Sequence, residues 1–145
     1  MIRKITTFKP LNDYNQAIAR LKKNGIRPTK QRMVLAKLLF EKGDRHISAE
    51  EIFDEIKKED RKISLATIYN TLKQFRNMGL LKELVIDQNK SIYCTNHDAH
   101  YHLLIEDENK IIDIPQENID LNIPEIPACL NLHNIDVVVR VRTLK

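Results

Sequence analysis

Three of the five histidines in this chain, His97, His100 and His102, fall within six residues of one another. The His-Tyr-His triplet precedes an apolar run at 103–105, and this pattern predicts the start of a β-strand. On a strand, residues two apart face the same side, so both imidazoles of the triplet can reach one metal ion. Isolated His-x-His pairs also occur on surfaces or as hydrogen-bonded core pairs, so spacing alone leaves both interpretations open.

A carboxylate completes the predicted metal site. The acidic segment 106–109 predicts a turn, and Lys110–Ile114 predicts a returning strand, which would place Asp113 opposite or diagonal to His102. Two imidazoles and a carboxylate suit Fe(II), Zn(II) or Mn(II). The same set occurs in non-haem iron oxygenases, but about 50 residues leave little room for a substrate pocket. We therefore expect no enzyme.

Residues 63–80 predict the element with the other chemical role, a helix that binds DNA. Ser64 is a good N-cap, and Gly79 supplies the C-terminal stop. Apolar residues recur at helical spacing and form one buried stripe: Leu65, Ile68, Leu72 and Phe75.

The opposite face of this helix is rich in amide and hydroxyl groups and contains no acid. Such a face suits the phosphates and base edges of double-stranded DNA, which would repel a carboxylate. An ordinary helical core with a basic last helix is the alternative. The face comprises Ala66, Thr67, Asn70, Lys73, Gln74 and Asn77, with Tyr69 at its flank.

The elements around this helix predict a winged helix-turn-helix. Amphipathic patterns predict three earlier helices: 13–24, a second that follows the cap Thr29 and runs through Phe40 or Glu41, and 49–58, each with a cap residue or a terminal glycine. A hairpin follows at 80–86 and 91–95, and it would form the wing.

The charge distribution predicts two domains, 1–95 and 96–145. The first range holds 20 Lys and Arg against 11 Asp and Glu, a net charge of +9; the second holds 4 against 9, a net charge of −5. A basic region indicates a nucleic-acid partner. We expect an α+β fold, with the winged helix-turn-helix domain followed by a small α/β dimerisation domain. The β-prone run at 135–142 could pair with a second copy, giving a homodimer or a higher oligomer.

Composition narrows the class of protein further. No apolar run approaches the roughly 20 residues of a membrane span, and no apolar stretch follows the first charges at 1–13, so we expect a cytoplasmic protein. Cys94 and Cys129 are the only cysteines and form no C-x-x-C pair. A four-ligand thiolate zinc site therefore cannot be built from this chain.

Five motifs resemble the ferric uptake regulator family of bacterial metal-responsive transcription factors, over nearly the whole chain. Within that family the chain is most similar to the iron response regulator branch of alphaproteobacteria, which ends in a similar strand and also lacks C-x-x-C pairs. The motifs are LKKNGIRPTKQR at 21–32, GDRHISAEEIFDEI at 43–56, ISLATIYNTL at 63–72, HYHLLIEDENKIIDIP at 100–115 and IDVVVRVR at 135–142.

The resemblance implies a DNA-binding transcription regulator, mainly a repressor, that responds to iron or haem. It implies that Tyr69 contacts thymine methyls or a phosphate and that Lys22 or Lys23 reaches a minor groove. Thr67, Asn70, Lys73 and the wing residue Lys90 complete the predicted DNA-binding set. The resemblance also implies a sensory metal site between the domains, held by His46, His100, His102 and Asp113. By residue type alone, His46 would be a solvated loop residue.

Cys94 stands where many members of the family have an aspartate ligand. A thiolate there would favour zinc, iron or haem over manganese, and a small packed residue is the alternative. Haem, if bound, would use His97, His100 and His102, because the N-terminal Cys-Pro haem motif of some members is absent. A peroxide-sensing repressor, in which bound Fe(II) leads to oxidation of His46 or His100, is the second functional hypothesis.

Overall fold

A computed structural model describes residues 14–96 and 98–145. The chain divides into two compact units, one up to residue 97 and one from residue 98. The assignment of separate functions to 1–95 and 96–145 stays a prediction.

Four helices lie among the described residues of the first unit, and the structure confirms the caps predicted for the last three. Ser64 Oγ accepts from the Thr67 amide, and Thr29 caps its helix in the same way through the Arg32 amide. Ser48 and Glu51 form a capping box. The predicted start at Asp13 lies outside the described residues. The helices are α1 (Tyr14–Lys23), α2 (Lys30–Phe40), α3 (Ala49–Lys58) and α4 (Leu65–Asn77).

The apolar stripe of α4 lies in the core of this unit. Ile68, Leu72 and Phe75 are fully buried, whereas Leu65 is partly buried and packs against the same core. Burying each large apolar side chain stabilises the fold by about 1.5–3 kcal/mol. This packing holds the polar side of α4 outward.

A small antiparallel sheet completes the first unit and corrects the expectation for His46. It consists of β1 (His46–Ile47), β2 (Lys82–Asp87) and β3 (Lys90–Cys94), in the order β1-β3-β2. β2 and β3 are the predicted wing hairpin. His46 was expected in a loop, but it lies on β1 and pairs with Cys94. A two-residue strand is too short to give a periodic pattern, so sequence reasoning missed it.

The second unit is a three-stranded sheet of β4 (His100–Ile105), β5 (Lys110–Pro115) and β6 (Val138–Val141). β4 is central: it pairs antiparallel with β5 and parallel with β6. Asn109 adopts a left-handed conformation with φ 52° and closes the turn between β4 and β5. The predicted hairpin is confirmed, and the predicted final strand is shorter than expected.

The α+β class is confirmed, but the predicted α/β character of the second domain is not. Within 98–145 the helical structure is one 3₁₀ turn, Gln116–Asn118. Pro124 and Pro127, in the segment between β5 and β6, lack the amide hydrogen that a helix interior needs. Among the described residues, no helix is both long enough and apolar enough to cross a bilayer.

Candidate metal centre and nucleic-acid interface

His100, His102 and Asp113 come together on the sheet of the second unit, as the predicted hairpin requires. His102 and Asp113 are direct partners in the register of β4 and β5. The Nε2 atoms of the two histidines lie 3.0 Å apart, and Asp113 Oδ1 is 3.3 Å from one and 3.5 Å from the other. Three donor atoms therefore converge on one point.

A backbone contact orients the first imidazole. His100 Nδ1 lies 2.5 Å from the Asp98 carbonyl oxygen, so this nitrogen carries the hydrogen and donates it. Nε2 then presents its lone pair toward His102 and Asp113. A histidine that binds a metal typically donates its other N–H to a carbonyl or carboxylate, which fixes the tautomer.

The donor set fits a first-row divalent ion. Nitrogen and carboxylate ligands lie about 2.0–2.2 Å from Zn(II), so ligands of one ion are separated by about 3 Å. The separations of 3.0–3.5 Å match that requirement. Both imidazoles are buried, and water competes little for them.

His46 and Cys94 form a second pair of possible ligands, in the first unit. The two residues are opposite each other on β1 and β3, and their ligand atoms lie within 4.8 Å. Cys94 is 1% exposed, and His46 is half-buried. An imidazole beside a thiol suits zinc or iron.

Contacts of Arg45 with three residues fix the backbone that carries His46. The Arg45 amide donates to Thr95 Oγ1 over 2.8 Å, and the Thr95 amide donates to the Arg45 carbonyl over 3.1 Å, which extends the pairing of β1 with β3. The Arg45 guanidinium binds both carboxylate oxygens of Glu55 and also donates to the Leu38 carbonyl. The hydrogen bonds from Arg45 lower the pKa of Glu55, so this pair is charged at neutral pH.

A groove of about 490 Å³ runs along the polar side of α4 in the first unit. Side chains from α4 and from the beginning of α2 line it, and none of them is acidic. Thr67, Asn70 and Lys73, three of the predicted DNA-binding residues, are among them. The lining comprises Thr29, Gln31, Arg32, Thr67, Asn70, Thr71, Lys73, Gln74 and Asn77.

A hydrogen bond joins the two sides of the groove. Arg32 Nε donates to Gln74 Oε1 over 3.0 Å, and Arg32 Nη1 donates to the Arg27 carbonyl over 2.8 Å. The Gln74 amide oxygen is thereby engaged as an acceptor, which orients this side chain. A concave surface of amides, hydroxyls and cations can contact phosphates and base edges.

Tyr69 has an acidic neighbour that the sequence of α4 alone did not reveal. Its hydroxyl donates to the carboxylate of Glu50, which lies 19 residues earlier on α3. This bond raises the pKa of Tyr69 to about 12. Only the packing of α3 beside α4 brings the two residues together, so the interpretation of an acid-free face holds for the groove but not for this flank.

Comparison with known proteins shows the family to which this chain belongs. The sequence model of the Ferric uptake regulator family matches residues 23–141, most of the chain. This chain belongs to that family.

Individual members and solved structures agree with this assignment. The chain is 34% identical to the peroxide-responsive repressor PerR of Staphylococcus epidermidis over 109 residues, 75% of this chain and 72% of that protein. The crystal structure of the Vibrio cholerae ferric uptake regulator matches with a TM-score of 0.62 and 26% identity, over 90% of this chain and all of that one. A zinc-bound manganese uptake regulator matches with a TM-score of 0.61 and 26% identity, over 88% and 98%.

As a member of the Ferric uptake regulator family, the chain is a metal-responsive transcription regulator and not an enzyme. The remaining predicted DNA-binding residues lie outside the groove lining. Lys22 and Lys23 are exposed in the last turn of α1, and Lys90 opens β3 at the wing turn. His97 lies outside the described residues, and its predicted part in haem binding is untested.

Proposed function

We propose that this member of the Ferric uptake regulator family is a homodimeric repressor that binds double-stranded operator DNA and responds to iron or haem. We place it in the iron response regulator branch, on the strength of its final strand motif and its lack of C-x-x-C pairs. The groove along α4, with its wholly non-acidic lining, supports DNA as the partner.

The convergence of His100 Nε2, His102 Nε2 and Asp113 Oδ1 carries the sensory part of the proposal. These residues would hold a divalent ion, which would accept lone pairs from the two imidazole nitrogens and the carboxylate oxygen. His46 and Cys94 would complete the ligand set. Because these two belong to the first unit, loading would favour one arrangement of the units, and DNA affinity would follow that arrangement.

Cys94 narrows the choice of ion. A thiolate binds zinc and iron better than manganese, which prefers carboxylates and water. The similar manganese uptake regulator is itself known in a zinc-bound form. We propose iron or zinc as the ion, with haem as an alternative ligand of His97, His100 and His102.

The second unit supports a homodimer. Its segment between β5 and β6 exposes several large apolar side chains, with Leu130 at 62%. β5 and β6 are also edge strands of their sheet. A second copy covering these groups would give a twofold dimer, which suits an operator with two half-sites. The exposed residues are Leu121, Ile123, Ile126, Leu130 and Leu132.

A peroxide-sensing repressor is the second candidate, and the similarity to PerR favours it. In that case bound Fe(II) and peroxide would lead to oxidation of His46 or His100. Cys94 argues against it, because its thiol replaces the expected carboxylate ligand.

Metal analysis combined with DNA selection tests the proposal. The protein is purified without chelator, its metal and haem contents are measured, and duplexes are selected from a randomised library with and without Fe(II) or haem. We expect a selected sequence and at least a tenfold change of affinity on loading. Failure to select any duplex in either form would overturn the proposal.

Peroxide treatment of the Fe(II)-loaded protein separates the two candidates. Mass spectrometry showing one added oxygen on His46 or His100, with release of the selected duplex, would establish the peroxide sensor. Unmodified histidines together with a response to iron or haem would establish the first candidate.

A further inference from the structure

Glu50 is an unexpected residue beside the DNA-binding face. It occupies the second position of α3 and accepts a hydrogen bond from the hydroxyl of Tyr69, the residue at the flank of α4. Tyr69 is 40% exposed, so its ring faces solvent while its hydroxyl is held. The raised pKa of Tyr69 has the same cause and keeps the phenol protonated.

This contact has two consequences for a nucleic acid. The phenol has one hydrogen to donate, and Glu50 receives it, so it cannot be given to a phosphate oxygen. The Glu50 carboxylate also adds a negative charge at the Tyr69 flank of α4, whereas the groove lining on that helix is neutral and basic, and this charge repels phosphates that approach the flank.

We infer that Glu50 is a positioning residue that sets the selectivity of the α4 face, by withholding the Tyr69 hydroxyl from the phosphate backbone. The Tyr69 ring then contributes apolar contacts, which depend on the base it meets. Binding through phosphates, which carries no sequence information, is weakened at the same place. This inference rests on the proposed function, because it assumes that the α4 face binds DNA.

A purely structural role for Glu50 predicts different behaviour. An acid in the first turn of a helix stabilises that helix through the dipole. In α3 the capping box already uses Glu51, and a dipole effect of Glu50 would not depend on Tyr69. Selectivity that changes with Glu50 only when the Tyr69 hydroxyl is present would distinguish the two roles.

The test measures two affinities for each variant, using protein loaded with Zn(II) and metal-free protein. One probe is a duplex selected from a random library by wild type, and the other is its scrambled counterpart. For Glu50→Ala we expect about tenfold tighter binding to the scrambled duplex and a correspondingly lower selectivity ratio, an effect on the scale of one base contact. Glu50→Gln keeps an acceptor without the charge and should give an intermediate ratio.

Variants of Tyr69 separate the ring from the hydroxyl. Tyr69→Phe should keep the selectivity ratio within about twofold of the wild-type ratio. Tyr69→Ala should lower that ratio about tenfold. In the Glu50→Ala, Tyr69→Phe double variant, the scrambled duplex should bind more weakly than in Glu50→Ala, because the freed hydroxyl is gone. Asp54→Ala is the matched control, since Asp54 is an exposed acid one turn later on α3.

The outcomes distinguish failure of the inference from failure of the proposed function. The inference is wrong, while DNA binding stands, if Glu50→Ala changes the selectivity ratio no more than Asp54→Ala does. The same holds if Tyr69→Phe lowers that ratio as much as Tyr69→Ala does. If wild type selects no duplex, the proposed function and the inference both fail.

Discussion

The two units of the chain treat their polar side chains in opposite ways. The first packs an apolar core beneath α4 and leaves amides, hydroxyls and cations on the outer side of that helix. The second buries two imidazoles on the central strand of its sheet. A surface that reads a polymer must be open, whereas a site that holds an ion must exclude water and fix a few donor atoms.

Charge follows the same division. The range 1–95 is net positive, and 96–145 is net negative. A phosphate polymer is attracted by a net positive surface, and a net negative region favours a divalent cation. The proposed DNA-binding face thus lies in the basic range, whereas His100, His102 and Asp113 of the proposed metal site lie in the acidic one.

Removing the core contact of α4 should have the largest effect. Phe75→Ala is expected to lower the free energy of unfolding by about 3–5 kcal/mol, because it leaves a cavity among fully buried side chains. Urea denaturation followed by circular dichroism at the helical signal measures it. Val85→Ala, at an exposed position on β2, is the control and should change stability by less than about 0.5 kcal/mol. Equal losses would mean that the helical unit is not held by this core.

Replacing both imidazoles should greatly weaken metal binding. His100→Ala combined with His102→Ala is expected to weaken binding of Zn(II) or Fe(II) by at least about 100-fold, since even outer-shell partners contribute 10–100-fold. Isothermal titration of metal-free protein measures it. His133→Ala, an exposed histidine of the same unit, should leave affinity unchanged. If the double variant binds the metal with unaltered affinity, the metal site lies elsewhere in the chain.

Removing one cation from the groove should affect DNA and not metal. Lys73→Ala is expected to weaken binding of a selected duplex by about 1–3 kcal/mol if it contacts a base, or to reduce the salt slope by about 1 if it contacts a phosphate. Fluorescence anisotropy over a range of salt concentrations separates these cases. Lys110→Ala removes a cation from the second unit and should change neither quantity. Full affinity in Lys73→Ala would exclude this part of α4 as the reading surface.

The smallest effect concerns the Arg45–Glu55 pair, which holds the backbone next to His46. Since Arg45 lowers the pKa of Glu55 in the folded protein, the stabilisation is complete above the ordinary glutamate pKa and is lost as pH falls through the lowered one. Glu55→Gln should therefore reduce stability by about 1 kcal/mol at neutral pH and by less in acid. Urea unfolding at both pH values measures this. A deficit that grows in acid would contradict the assignment.

Local features could be predicted from the sequence. The caps at Ser64 and Thr29 and the box at Ser48 depend on residues within one helical turn, so short spacing reveals them. The hairpin that brings Asp113 to His102 is also local, because one short turn determines its register.

Contacts between distant segments could not be predicted from the residues alone. The two-residue strand at His46 exists only because β3 lies beside it, and the parallel pairing of β6 with β4 joins segments more than 30 residues apart. The Tyr69–Glu50 bond likewise requires α3 and α4 to pack. The resemblance to a family, and not the spacing, pointed to His46.

Coupling between the metal site and the DNA-binding face is tested most directly by the affinity of wild type for a selected duplex, measured by anisotropy in metal-free form and with Fe(II) or Zn(II). We expect at least a tenfold difference between the two forms, and no difference in the His100→Ala, His102→Ala variant. Equal affinity of wild type in both forms would contradict the claim that these histidines couple an ion to DNA binding.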